Sequence, residues 1–202
     1  MRIVIISDDR SKKELTAGLT NPELSLIWVT QPQLIEDADV YIDLLFEQNQ
    51  HQKIWEELNP NFLIVSSIIE PCKNYIRINA WPGMLGRNLI EAAGENKEEK
   101  DKAVAVFELL NKKLEWVKDQ PGLITPRIIA SIINEAYFTI SEGVTDKKNI
   151  DLAMKLGTNY PYGPFEWSEL IGLKNVYNLL VSLSKIEERY TPSSLLSEEA
   201  NS

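Results

Sequence analysis

Two residue types that build many functional sites are almost missing from this chain: its 202 residues include one cysteine and one histidine. A lone Cys72 excludes an intrachain disulfide and a thiolate metal cluster, and it suits a reducing compartment, so the expected location is the cytoplasm. No apolar run approaches the roughly 20 residues that cross a bilayer. The opening Met1-Arg2-Ile3-Val4-Ile5-Ile6 is too short for a signal peptide and lacks a small-residue cleavage site. Positive charge is scarce as well. Lysine and arginine number 21 against 30 acidic residues, a net charge of −9, and no basic stripe is present. Neither nucleic acid nor an anionic membrane is an expected partner, and a polyphosphate ligand is disfavoured. What remains, 44% hydrophobic and 25% charged, is an ordinary globule without internal repeats, long enough for one large domain or two small ones.

The N-terminal half alternates strand and helix patterns. Arg2–Ser7 is a continuous apolar run, as in a buried parallel strand. Ser11-Lys12-Lys13-Glu14 reads as a capping box opening a helix to about Leu19. Asn21-Pro22 predicts a turn, and strands are expected at 24–29, 38–43, 62–65, 75–78, 89–93 and 114–117. Helices are expected over 50–58 and 98–113. This alternation predicts an α/β fold with a parallel, doubly wound sheet. The single histidine, His51, sits among Gln48, Asn49, Gln50 and Gln52 and reads as a solvated surface residue.

The C-terminal half is helical, with clear punctuation. Pro126 suits a first helical turn, Ile128, Ile129, Ile132, Ile133 and Ala136 recur at helical spacing, and Gly143 closes the run. A second helix is predicted from Asp146 to Leu156, with Thr145 as N-cap and Gly157 as stop. Tyr160-Pro161-Tyr162-Gly163-Pro164-Phe165-Glu166 follows as a rigid aromatic turn, in which Gly163 is free to take positive φ. An amphipathic helix is expected over 175–187. Thr191–Ser202, with Pro192 and four serines, is expected to be a disordered tail.

Pro121-Gly122, Arg127, Asn134-Glu135-Ala136, Glu142-Gly143-Val144, Ile150-Asp151, Ala153-Met154-Lys155-Leu156-Gly157 and the Tyr160–Glu166 turn occur in one order over some fifty residues. Together they resemble the C-terminal domain of the 3-hydroxyacyl-CoA dehydrogenases. The resemblance implies a truncated Rossmann-like domain over 1–118. An all-helical domain of the 6-phosphogluconate-dehydrogenase C-terminal type follows over 119–190, serving dimerisation and substrate, and 191–202 is the tail. It also implies NAD as the family's cofactor and an acyl-CoA ligand. The apolar helix over 126–142 carries Ile128, Ile132, Tyr137, Phe138 and Ile140 on more than one face, which predicts a homodimer.

Against that pattern the N-terminal half is stripped. A Rossmann site needs glycines after the first strand, so that the backbone can approach a pyrophosphate lying on a helix N-terminus. Here the turn is Ser7-Asp8-Asp9-Arg10-Ser11, without glycine. Carboxylates placed there repel a phosphate by roughly 4 kcal/mol at about 4 Å and an effective dielectric near 20. The reading preferred for Asp8 and Asp9 is helix capping and solubility. The second strand ends at Val29-Thr30-Gln31 rather than in an acid for the ribose hydroxyls. No cofactor is therefore expected. In the family a histidine base pairs with a glutamate twelve residues later, and the resemblance places these on Asn79 and Glu91. An asparagine cannot take up a proton near neutral pH. The family's substrate-contacting serine falls on Ser66, and its asparagine at the start of the long helix falls on Pro126. A degenerate, non-redox relative is expected. An active dehydrogenase with a rearranged site, or an interaction subunit paired with an intact homologue, are the alternatives.

Overall fold

The computed structural model describes residues 1–19, 24–72 and 74–202; the turn expected at Asn21-Pro22 lies outside them. The chain divides into two compact units, Met1–Leu123 and Ile124–Ser202, rather than after residue 118.

The first unit is built on strands β1 (Arg2–Ile6), β2 (Ser25–Val29), β3 (Val40–Asp43), β4 (Leu63–Ser66), β5 (Ile76–Ile78), β6 (Leu89–Ala93) and β7 (Lys113–Trp116). Helices α1 (Asp9–Leu15), α2 (Gln52–Leu58) and α3 (Lys97–Leu109) connect them. The strands form one sheet in the order β2-β1-β3-β4-β5-β6-β7. Alternation along β1 decides its layers. Ile3 and Ile5 join Val40, Ile42, Ile64, Ile76 and Ile78 beneath Leu15 of α1 and Ala103, Val106 and Phe107 of α3. Val4 and Ile6 join Tyr41, Leu63 and Val65 beneath Trp55 of α2 on the other face. Both faces being covered is why the strand reads as unbroken apolar sequence.

One correction concerns strand direction. β1 to β5 are parallel, but β6 runs antiparallel to β5, and β7 follows β6. An apolar run carries no direction. The short segment between Ile78 and Leu89 holds no crossover helix of the kind a parallel return requires.

The second unit holds α4 (Thr125–Ser141), α5 (Lys147–Thr158), α6 (Pro164–Ile171), α7 (Leu173–Ser184), a 3-10 turn at Glu188–Tyr190 and α8 (Ser194–Ala200). Gly143 ends α4 with φ at 72°, the left-handed stop that its position predicts. α5 is capped by Asp146, whose carboxylate accepts from Asn149 N at 2.8 Å, not by Thr145. It also runs through Gly157 and stops at Asn159, with φ at 56°.

Gly163 departs from expectation too: its φ is −75°. Glycine is required there by space. A Cβ would lie 2.2 Å from Asp151 Oδ1 and 2.4 Å from its Cα. This close approach lets Asp151 accept from Phe165 N at 2.8 Å and Glu166 N at 3.3 Å. Those amides open α6 and have no partner within the helix. Glu166 reaches back to Gly163 N at 3.0 Å and pairs with Lys155. The Lys155 ammonium, with the Gly163 amide, holds the Glu166 carboxyl below its ordinary range.

The expected disordered tail is instead ordered. Ser193 caps α8, accepting from Leu196 N at 3.2 Å, and Leu196 is fully buried. Buried Asn134 of α4 donates to Thr191 O at 2.9 Å and accepts from Ser193 N at 2.8 Å. Glu199 accepts from Tyr137 Oη at 2.7 Å and pairs with Lys147 at 2.6 Å. Composition hid this, because one cap and one buried leucine suffice when the partners lie far back in the chain. Burial opposes ionisation of Glu199, but Lys147 and Tyr137 outweigh it and lower its pKa from an ordinary 4.5. A lowered carboxyl pKa contributes stability above the unfolded value, lost as pH falls through the folded one. Protection against amide exchange at residues 194–200, corrected for the intrinsic rate at each pH, is therefore expected to fall first as the pH drops below about 4.5. Exchange that stays slow until global unfolding would contradict this.

Candidate functional site

In an open α/β sheet, ligands bind beyond the carboxyl ends of the strands where the strand order reverses. Here that point lies at β1, flanked by β2 and β3. The turn after β1 is closed by its own side chain: Asp8 Oδ1 accepts from Ser11 N at 2.7 Å and caps α1. The capping box expected at Ser11–Glu14 gives way to this cap. Burial pushes the Asp8 carboxyl up, yet the hydrogen bonds from Ser11 and the Arg10 charge prevail and hold it below the ordinary range. Glu14, free of the cap, accepts from Gly83 N at 3.0 Å through both oxygens.

At the end of β3 lies a cluster that sequence reasoning missed. Asp43 is fully buried and His51 is 2% exposed, so His51 is a core residue and not a solvated one. Asp43 Oδ2 meets His51 Nδ1 at 2.7 Å and accepts from Trp55 Nε1 at 2.6 Å, while Oδ1 accepts from Leu45 N at 2.9 Å. Burial pushes the Asp43 carboxyl up, against the pull of Trp55 and His51. A charged residue inside the apolar run Val40-Tyr41-Ile42-Asp43-Leu44-Leu45, with a histidine eight residues later, was the available signal.

Next along the sheet edge, Glu47 fastens the loop after β4. Its carboxylate accepts from Ile68 N at 3.1 Å, Ile69 N at 2.7 Å and Glu70 N at 3.3 Å. Phe46, Glu47, Lys53, Ser67, Glu70 and Cys72 border a cavity of about 490 Å³. Burial raises the pKa of the Cys72 thiol, so it is a poor nucleophile at neutral pH. Arg77 of β5, fully buried, lies 3.0 Å from Asp119 and donates to Glu70 O at 2.8 Å and Gln120 O at 3.2 Å. Loss of water lowers its pKa, with Asp119 opposing.

The three residues singled out by resemblance lie on neighbouring strands. Asn79 N donates to Glu91 O at 3.0 Å, so these two backbones are directly paired. Asn79 is 3% exposed, and its Oδ1 accepts from Trp81 N at 3.2 Å. Glu91 is partly buried on β6, opposite Glu115 of β7 in register. Ser66 of β4 pairs with Ile78 and is 8% exposed. Alternation puts the Ser66 side chain on the Ile64 side of the sheet and Glu91 on the side opposite Ile90. Asn79 and Glu91 are thus brought together, and Ser66 points away from them. Pro126 occupies the first turn of α4. Among the described residues, no cluster of three or more His, Cys, Asp or Glu side chains can hold a metal ion. No helix there is long and apolar enough to cross a membrane.

The chain is thus a doubly wound sheet unit followed by a helical unit. Residues 122–201 match the family model of the 3-hydroxyacyl-CoA dehydrogenase C-terminal domain. The 3-hydroxyadipyl-CoA dehydrogenase of Escherichia coli K12 is 41% identical over 101 residues, 49% of this chain and 21% of that protein. The chain thus matches about a fifth of that relative's length. Among solved structures, Mycobacterium tuberculosis FadB2 superposes with a TM-score of 0.80 at 14% identity, over 99% of this chain and 93% of the other. The (S)-3-hydroxybutyryl-CoA dehydrogenase PaaH1 of Ralstonia eutropha gives 0.76 at 19% identity, over 98% and 92%. At such identities these likenesses describe the fold. The helical unit is thus similar in sequence to the C-terminal domain of 3-hydroxyacyl-CoA dehydrogenases, and the whole chain is similar to them in fold.

Proposed function

We propose that this protein is a non-redox relative of the 3-hydroxyacyl-CoA dehydrogenases that keeps the helical dimer unit and an acyl or acyl-CoA ligand but takes no NAD. The observation that carries the reading is the Asp8 cap. A pyrophosphate needs the free amides of a helix start and a backbone without side chains. In this chain the Asp8 carboxylate already holds the Ser11 amide of α1, and no glycine stands between Ser7 and Ser11. An anion there meets a second anion, so the residues do not fit the cofactor. Asn79 in place of a base points the same way, since its side chain serves the backbone of Trp81. The protein acts in the cytoplasm as a homodimer, without nucleic acid or membrane as partners.

Titration with NADH is expected to give no saturable fluorescence enhancement up to about 100 μM, corresponding to roughly −5.5 kcal/mol. Asn79→His restores the histidine–glutamate pair with Glu91, yet it should not yield NADH from 3-hydroxybutyryl-CoA, because the hydride acceptor is still not bound. Wild-type activity abolished by Glu91→Gln would instead establish a dehydrogenase with a rearranged site. Thermal stabilisation by an acyl-CoA, with all three proteins silent, is the result this reading expects. No response to any acyl-CoA would leave an interaction subunit.

A further inference from the structure

The sheet ends in two edge strands, β2 and β7, and their sequences treat the edge differently. β7 carries exposed Lys113 and Glu115 at alternate positions, charges of the kind that keep a foreign strand from pairing with an edge. β2 reads Ser25-Leu26-Ile27-Trp28-Val29, with no charge and no proline, and all five residues pair in register with β1. Two of them present their backbone outward. Val29 O accepts from Ser7 N at 3.1 Å, so Val29, Ile27 and Ser25 turn their backbone groups to β1, and Leu26 and Trp28 turn theirs away. Among the described residues, no hydrogen bond from another segment reaches the outward N–H and C=O groups of Leu26 and Trp28. The flanking side chains are partly buried on both faces. Leu26 and Trp28 pack against the layer that holds α1, and Ile27 and Val29 against the layer that holds α2.

We propose that the β2 edge takes up an extended segment of another protein as an added strand, aliphatic on one face and bearing a single carboxylate on the other. The carboxylate follows from Lys12. Its ammonium belongs to an exposed residue and lies 5.0 Å from the centre of the Trp28 ring. A strand added at the usual spacing of about 4.8 Å sets the side chain opposite Trp28 beside that ammonium, where an aspartate or glutamate pairs with it. A run of acids does not fit, because the whole chain carries a net charge of −9 and repels it. On the other face the added strand meets Ile27 and Val29, which favour valine or isoleucine as cross-strand neighbours. Hydrogen bonds to the Leu26 and Trp28 backbone supply the affinity, and the alternate side chains supply the selectivity. A second copy of β2 fits less well, since Ser25–Val29 contains no acid and leaves Lys12 unmatched.

The test uses the full chain and a labelled peptide, Thr-Val-Thr-Val-Glu-Val-Thr-Val, whose glutamate shares a face with its threonines. In the free protein, the Leu26 and Trp28 amides are expected to exchange faster than those of Ile27 and Val29. Fluorescence anisotropy should show saturable binding with a dissociation constant below about 100 μM, and the bound peptide should slow exchange at Leu26 and Trp28. Lys12→Glu is expected to weaken binding roughly tenfold, and a peptide with lysine in place of glutamate to recover it. Leu26→Pro removes an outward donor without breaking the β1 ladder and should abolish binding. Lys12 is exposed, so its variant decides the matter even if Leu26→Pro unfolds. Slow exchange at Leu26 and Trp28 in the free chain would mean that the edge is already covered, and would overturn the proposal. So would failure to bind the peptide, or binding that leaves those two amides unprotected. Edge binding indifferent to Lys12→Glu would overturn the acidic partner.

Discussion

Asp43→Ala is expected to be the most damaging single substitution in the N-terminal unit, lowering stability by about 4 kcal/mol. Three donors converge on this carboxylate: Trp55 Nε1, His51 Nδ1 and Leu45 N. Each buried donor left without an acceptor costs about 1–3 kcal/mol. Part of that sum is returned, since burying the carboxylate is itself unfavourable, as its raised pKa records. Asp43→Asn keeps the volume and one acceptor oxygen, and is expected to lose roughly half as much. The pH dependence follows from the sign of the shift. A carboxyl whose folded pKa lies above the ordinary 3.8 contributes stability below that value, and loses it as pH rises through the raised one. Urea titrations of wild type and Asp43→Asn should therefore differ in slope across that window and run parallel above it. Both variants unfolding within about 0.5 kcal/mol of wild type would show that the cluster carries no stability.

Gly163→Ala should be nearly as severe, at about 3 kcal/mol, although its backbone angle suits any residue. The added carbon meets Asp151 at backbone distance, 2.4 Å from Cα, so α5 and α6 must part. Overpacking alone costs about 1–3 kcal/mol, and separation also weakens the two hydrogen bonds that Asp151 accepts from the Phe165 and Glu166 amides of α6. A fall in melting temperature of roughly 6–12 °C is expected for a chain of this size. Asp151→Gly on top of Gly163→Ala removes the obstructing carboxylate but also the acceptor of the Phe165 and Glu166 amides, and leaves the Cα in place, so no rescue is expected. A single mutant melting like wild type would mean the two helices are not held at this separation.

The contrast between Gly163 and Gly143 shows what could be read from the sequence. Gly143 closes an apolar helix, and local pattern alone predicts its positive φ. The need for glycine at 163 comes from a residue twelve positions earlier in another helix, which no local pattern displays. His51 misled for the same reason. Its neighbours in sequence are polar, but its neighbour in space is Asp43, and most of the polar run lies in the turn before α2. β1, β3, β4 and β5 were legible because each is buried on both faces. The reversal at β6 was not, since direction depends on the length and content of a connection. At the candidate site, the missing glycines after β1 and the Asn79–Glu91 pairing could both be anticipated. The Glu47 and Arg77 attachments could not, because each joins a strand end to loops whose course only the folded chain defines.

Asn134 holds both sides of the segment at 191–193, some sixty residues downstream. Synthesis proceeds from the N-terminus, so α4 leaves the ribosome long before its clamp can close. Until residues 191–200 emerge, a buried amide and the pocket for Leu196 stand open to solvent and to chaperones. Ribosome stalling or proteolytic trimming between Ser184 and Thr191 would release a chain with most of its helices but no closed helical unit, and cellular quality control would see that chain as unfinished.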